Sequence, residues 1–398
     1  MGGTYLGIIG NSHGLATKIR CHSTLFLCPE AFVTNACNIP NGFRSLIIGV
    51  IKLKMESSKV FSGKRIEYID ALRGFTMILV VLSHVAIFCV GAYDVSNYHH
   101  YLQQIRMPLF FLISGFVLYK VDTVWNLKHI VGFLSRKFVV QILSTSLFFV
   151  LYAHCCSIDV MQGVSDIYKS GYWFTYVLFF FYVFYSIIRF TCRKYEDYVC
   201  IVVAGLFYII NWPPLFSSIP ISEAIKSILS IPFWCYFCFF LLGTLLRKYF
   251  DCVQDLLDRR ELIAICVFIY FLLNIYRDVI PGNNGVVVSF SISISGIVII
   301  FSFFRTYQKS FSKEKLLGRI LQYIGRHTLD IYLLHYFFIP RGLAQAVTVF
   351  KDYPMPVVEF VYSLVIALII IGFCLLISNV IRLSPTLAHI LFGVRKKI

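Results

Sequence analysis

Apolar residues dominate this chain in long runs, and polar residues gather in the gaps between them. Ten runs stand out, at roughly 72–91, 107–121, 137–155, 172–190, 198–214, 228–247, 261–280, 285–304, 323–341 and 358–381. A helix needs about 20 mostly apolar residues to cross a bilayer core. The pattern therefore predicts an all-α fold, a polytopic transmembrane bundle of about ten helices. Short gaps predict that successive helices pack as antiparallel neighbours. Pro213, Pro214 and Pro220 mark a loop, and Pro281 to Gly285 a turn. The segment 125–136 mixes apolar and basic residues and is expected to lie along the inner membrane interface, ahead of the third span.

Residues 1–54 do not share the pattern. They hold three cysteines and no apolar run long enough to span. No basic region leads into an apolar core and cleavage site there, so no signal peptide is expected. Met55 opens a polar leader that runs into the first span. The expectation is that Met55 is the natural start, that 1–54 is an N-terminal extension without fixed structure, and that 55–398 is one membrane domain.

Composition agrees with the membrane reading. The chain is 58% hydrophobic and only 14% charged, too few charges to cover a water-facing surface. A net charge of +16 would suggest nucleic acid until the charges are sorted by side. With the N-terminus inside, 25 Lys and Arg fall on the inner side of the expected spans and six on the outer side. That asymmetry is the positive-inside rule. It predicts a multi-pass protein of the cell's plasma (inner) membrane with both termini cytoplasmic, the lipid bilayer as partner and no nucleic acid. The thirteen cysteines read as small buried hydrophobes, so no metal is expected.

Ionisable groups inside membrane helices are costly and are functional candidates by default. The first span carries Asp70, Arg73 and His84. Eleven steps of about 100° bring Arg73 and His84 to within about 20° of one face, about 16 Å apart along the axis. Asp70 lies one turn before Arg73. Arg73 alone would read equally well as snorkelling to headgroups, and His84 alone as a helix-packing hydrogen bond. The ninth span supplies a second set. Thr328, Tyr332 and His335, at i, i+4 and i+7, share a face, and helical rise puts His335 about 13 Å above Arg326. Two helices thus each carry a basic residue at the inner edge and a histidine at similar depth. On the second span Arg106 enters from outside and Ser114 falls near mid-membrane. A serine nucleophile there would need a base within hydrogen-bond reach.

These residues resemble the integral-membrane acyltransferase-3 family. Its first helix reads Asp-x-Leu-Arg-Gly with ten residues between the Arg and a following His, here Asp70, Leu72, Arg73, Gly74 and His84. Its next helix carries a Leu-Phe-Phe-x-x-Ser-Gly-Phe segment, here Leu109 to Phe116. The late Ile-Tyr-Leu-Leu-His segment is Ile331 to His335. Gly171 to Phe174 and Phe239 to Gly243 are further family features, and the matches run in order over about 68–340. Many members carry a basic run ending in Pro at the start of the third span. Here Phe133 to Lys137 has fewer basic residues and no Pro, so donor contacts are not carried over to it.

The resemblance implies transfer of an acyl group, most often acetyl from acetyl-CoA, to a sugar hydroxyl of a cell-surface polysaccharide or glycolipid precursor. No esterase-like domain follows the membrane domain, so transfer is expected to be completed within it. His84 is the expected general base, with Arg73 beside it in catalysis. Arg73 and Arg326 are expected to hold the acyl-CoA, since Arg binds phosphate bidentately. Asp70, Arg106, Ser114, Tyr332 and His335 are expected to bind the carbohydrate acceptor or stabilise the oxyanion. No carboxylate on its own helix can orient His84. A transporter or flippase of glycan intermediates is the competing class. The sequence shows neither an internal repeat nor a pair of Gly- or Pro-broken helices to support it. A non-catalytic scaffold would leave both histidines unexplained.

Overall fold

The computed structural model describes residues 66–90, 98–120, 123–210, 222–276, 285–340, 343, 348–350, 352 and 355–393. The expectations for residues 1–54 and Met55 lie outside these. The helices are α1 (Glu67–Cys89), α2 (His99–Leu118), α3 (Leu127–Lys137) and α4 (Ser144–Cys155). The short α5 (Val160–Ser165) precedes α6 (Trp173–Thr191), α7 (Glu196–Ile210), the short α8 (Glu223–Ile228), α9 (Phe237–Lys248) and α10 (Phe250–Leu257). Then come α11 (Arg260–Ile275), α12 (Gly285–Thr306), α13 (Leu316–Arg326), α14 (Thr328–Phe338), α15 (Pro356–Arg382) and α16 (Pro385–Phe392). The described residues contain no strand. The helical membrane bundle stands.

Seven helical runs among the described residues are long and apolar enough to cross a membrane. The fifth and seventh expected spans are not among them. Their described helices, α7 and α11, have 15 and 16 residues and adjoin stretches outside the description. The ninth expected span is corrected: it is two helices, α13 and α14. The chain turns at His327 (ψ 20°), whose Nδ1 lies 2.9 Å from the Tyr323 carbonyl. That side chain takes over a carbonyl at the end of α13, so the helix stops without Gly or Pro. The spacing from Arg326 to His335 along one straight helix therefore does not hold.

Two more expectations change. Segment 125–136 runs on into the third span rather than ending ahead of it. Asn126 caps α3 by accepting from the His129 amide at 2.8 Å, and a π-turn over Phe138–Leu143 joins α3 to α4 as one 29-residue helical run. Helix α2 begins at His99, so Arg106 sits well inside the helix rather than at its entrance.

Two glycine crossings fix the centre. Helix α13 lies on α1 so closely that a Cβ on Gly74 would stand 2.0 Å from the Leu321 carbonyl oxygen, and one on Gly325 1.9 Å from that of Asp70. Helix α9 meets α2 the same way, with Gly115 against the Phe240 carbonyl and Gly243 against that of Leu112. Small residues let membrane helices approach backbone to backbone. At both crossings the pair is reciprocal, which locks the register of each helix couple. The pair of buried Asp330 with half-buried Arg382 (2.7 Å), with Ser378 also bonded to Asp330, ties α14 to α15.

Candidate functional site

Helices α1 and α14 bring the two expected histidines together. Their ring centroids are 5.2 Å apart, and His84 Nε2 lies 3.0 Å from the Tyr336 hydroxyl. Histidine 335 is buried, with Nδ1 at 3.0 and 2.8 Å from the carbonyls of Ile331 and Tyr332. A carbonyl only accepts, so Nδ1 carries the hydrogen and the neutral ring keeps its lone pair on Nε2. The single O–H of Tyr336 has two acceptors, His84 Nε2 and the Gly171 carbonyl at 3.3 Å. With that O–H on Gly171, His84 donates Nε2–H to the tyrosine oxygen and keeps its own lone pair on Nδ1. Among the described residues, the buried atoms His84 Nδ1 and His335 Nε2 have no hydrogen-bond partner. Buried polar atoms are rarely left so. In the tautomer with the His84 hydrogen on Nε2, these two nitrogens on adjacent rings are a pair of acceptors for hydroxyl donors.

Gly171 holds this cluster together. Its carbonyl accepts from Tyr332 (3.2 Å) as well as Tyr336, and its φ is 100°. A Cβ there would stand 2.1 Å from the Tyr336 ring. Glycine supplies both the left-handed backbone and the space.

On the other side of Tyr332 opens a cavity of about 520 Å³. Arg73, Lys120, Arg136 and Lys137 line it, and among the described residues no Asp or Glu does. Aromatic walls come from Trp125, Phe133, Phe174 and Tyr182. Lys137 Nζ sits 4.3 Å over the Tyr182 ring. Arg193 holds Trp125 by its carbonyl at 3.0 Å. The Arg73 guanidinium reaches Thr328 Oγ1 at 3.2 Å and Asp70 at 3.9 Å, linking α1 to the first turn of α14.

Of the expected site residues, Arg73, Ser114 and Tyr332 line this cavity, and His84 and His335 form the cluster behind it. Asp70 lies buried beside Arg73. Arg106 lies within electrostatic reach of His84 and Tyr336. Ser114 Oγ donates to the Phe110 carbonyl at 2.8 Å. The serine that contacts a histidine is instead Ser83, 2.7 Å from His99 Nε2, and neither residue lines the cavity. Arg326 is not brought to the cavity. The break at His327 turns it onto a separate groove with Arg319 and Tyr323. Sequence reasoning missed Tyr336 and the hydroxyl-holding role of Gly171. It also counted Lys120, Arg136 and Lys137 only as topology charges. Among the described residues no group of three His, Cys, Asp or Glu could hold a metal ion.

Helices of membrane-crossing length around a cation-lined cavity and a buried histidine pair define a multi-pass membrane protein with an internal site. The acyltransferase domain model (Acyl_transf_3) matches residues 66–382, from the start of α1 to the end of α15, and the chain belongs to that family of acyltransferases. Neither a curated protein nor a solved structure matches the chain.

Proposed function

We propose that this acyltransferase moves an acyl group, acetyl in the simplest case, from acyl-CoA to a sugar hydroxyl of a cell-surface polysaccharide or glycolipid precursor at the plasma membrane. The observation that carries the reading is a cavity lined by four cations and, among the described residues, by no carboxylate, with Tyr332 on its wall and bonded to the Gly171 carbonyl that also accepts from Tyr336. CoA carries several phosphates and an adenine. Arginine and lysine suit the phosphates, and the faces of Trp125, Phe133 and Tyr182 suit the base. With both termini cytoplasmic, the cavity opens to the side where CoA is found, and the thioester reaches inward past Ser114 and Tyr332.

His84 then takes the proton of the attacking sugar hydroxyl. The hydroxyl oxygen bonds to the thioester carbonyl carbon, the C–S bond breaks, and CoA leaves as a thiolate that recovers the proton from His84. A general base placed in this way is worth about 10²–10⁴-fold. His335 Nε2 accepts a hydrogen bond from a neighbouring hydroxyl, a fit to sugars, which carry hydroxyls on adjacent carbons. Arg106 contributes positive charge toward the oxyanion. Among the described residues no carboxylate bonds His84; Tyr336 holds its Nε2. The transporter reading is not favoured, because the family match is to an acyltransferase domain.

Acetyl-ester content of surface glycans tests this in cells expressing wild type, His84→Ala or an empty vector, with membrane levels matched. Esters in the wild type that fall to the empty-vector level in His84→Ala are expected. Equal esters in wild type and variant would remove His84 as the base, and no ester in any strain would remove the acetyl or glycan assignment.

A further inference from the structure

Helix α13 has two unlike faces. Gly318, Leu321, Ile324 and Gly325 are buried, with the two glycines pressed on neighbouring backbone, while Leu316, Leu317, Arg319, Ile320 and Arg326 are exposed. Between this helix and α15 runs an open groove of about 600 Å³. Its lining is apolar, with Ile320 and Ile324 on one side and Leu368, Ile371 and Leu375 on the other. The positions 368, 371, 372 and 375 recur at helical spacing, so they form one stripe of α15. Gly372 keeps the stripe low, and a Cβ there would meet no atom within 4 Å. Tyr323 donates to Asn379 at 2.8 Å across the two helices. The only charges on the groove are Arg319 and Arg326, and no ion pair to a carboxylate is made by either among the described residues.

We infer that this groove binds one bilayer glycerophospholipid with an anionic headgroup, its acyl chain along the Gly372 stripe and its phosphate between Arg319 and Arg326. The groove lies on the flank of a helix of membrane-crossing length, where the available apolar ligand is lipid. An occupant must be apolar over most of its length and anionic at one end. Two planar guanidinium forks match a phosphodiester. CoA does not fit, since it is polar along its length and this groove offers it no aromatic stacking beyond Tyr323. The inference stands apart from the acyl-transfer reading and gives Arg326 a role away from the donor.

The test reconstitutes the purified full chain in nanodiscs of equimolar phosphatidylcholine and phosphatidylglycerol and reads retained lipids by native mass spectrometry. Wild type is expected to retain phosphatidylglycerol preferentially. Each arginine at an anionic lipid is worth about fivefold, so the Arg319→Gln/Arg326→Gln variant is expected to lose preference by an order of magnitude or more. Gly372→Leu fills the groove with both charges intact and is expected to lose the retained lipid at an unchanged melting temperature. Arg259→Gln/Arg260→Gln, on the exposed start of α11, is expected to behave as wild type. Undiminished preference in the Arg319/Arg326 variant would overturn the inference. So would an equal loss in the α11 control, which would mean diffuse charge, or a crosslink between two chains through Ile320→Cys, which would mean a second copy covers the groove.

Discussion

Arg73 and His84 stand on one face of one helix, yet their surroundings differ in kind. Around Arg73 the site is open and wide, with four cations from α1, α3 and the segment after α2, and ring walls, and charge rather than fixed geometry dominates it. Around His84 it is closed and short-range, with two rings, two tyrosines and one glycine carbonyl held within hydrogen-bond distances. The first arrangement tolerates a large, multiply charged ligand in more than one pose. The second fixes the direction of individual lone pairs. A transferase that must hold a bulky carrier and yet place one proton needs both, and here Tyr332 is the residue that belongs to each.

Removing a hydroxyl from the closed part breaks the comparison most sharply. Tyr336→Phe leaves the ring packing but takes away the partner of His84 Nε2. Turnover is expected to fall about 10–100-fold with the KM for acyl-CoA unchanged, about the effect of losing one supporting hydrogen bond at an oriented base. Steady-state kinetics in membranes with varied acyl-CoA would read the split, and a change confined to KM would assign Tyr336 to donor binding. The open part should answer in the opposite way. Arg136→Gln/Lys137→Gln is expected to raise the KM for acyl-CoA about tenfold with little change in turnover, and the wild type should lose affinity with added salt more steeply than the variant. A salt response identical in both would show that these cations do not meet the donor. The smallest effect is expected at the boundary. Because Ser114 Oγ is already spent on its own helix, Ser114→Ala should change either constant by less than about threefold. A loss of hundreds-fold would make it a nucleophile after all.

The sequence carried the closed part unevenly. Arg73 and His84 were legible because helical period alone relates two residues of one helix. Their meeting with Thr328 and Tyr336 was not, since those partners lie some 250 positions away and nothing local sets the rotation of α14 against α1. Tyr336 follows His335 directly but reads as one more aromatic in a run of them. The open part was hidden differently. Lys120, Arg136 and Lys137 obey the positive-inside rule so well that topology explained them fully, and only the folded chain shows the segment after α2 and helix α3 bringing them to one cavity. The bundle itself was legible, because apolar length is a property of each segment alone. The exception was the ninth span. Its break depends on a histidine side chain replacing a backbone hydrogen bond, and the hydropathy of 323–341 carries no trace of that.

That break also has an electrical side. A helix ends in a partial charge of roughly half an electron, positive where it begins and negative where it stops. At the stop of α13 the carbonyls of Gln322 and Tyr323 are met by Arg326 Nε and His327 Nδ1, which damps the negative end. At the start of α14, Thr328 and Leu329 face the cavity. Splitting one span in two therefore sets a positive pole beside Arg73, adding to the positive field of the cavity without burying another ion.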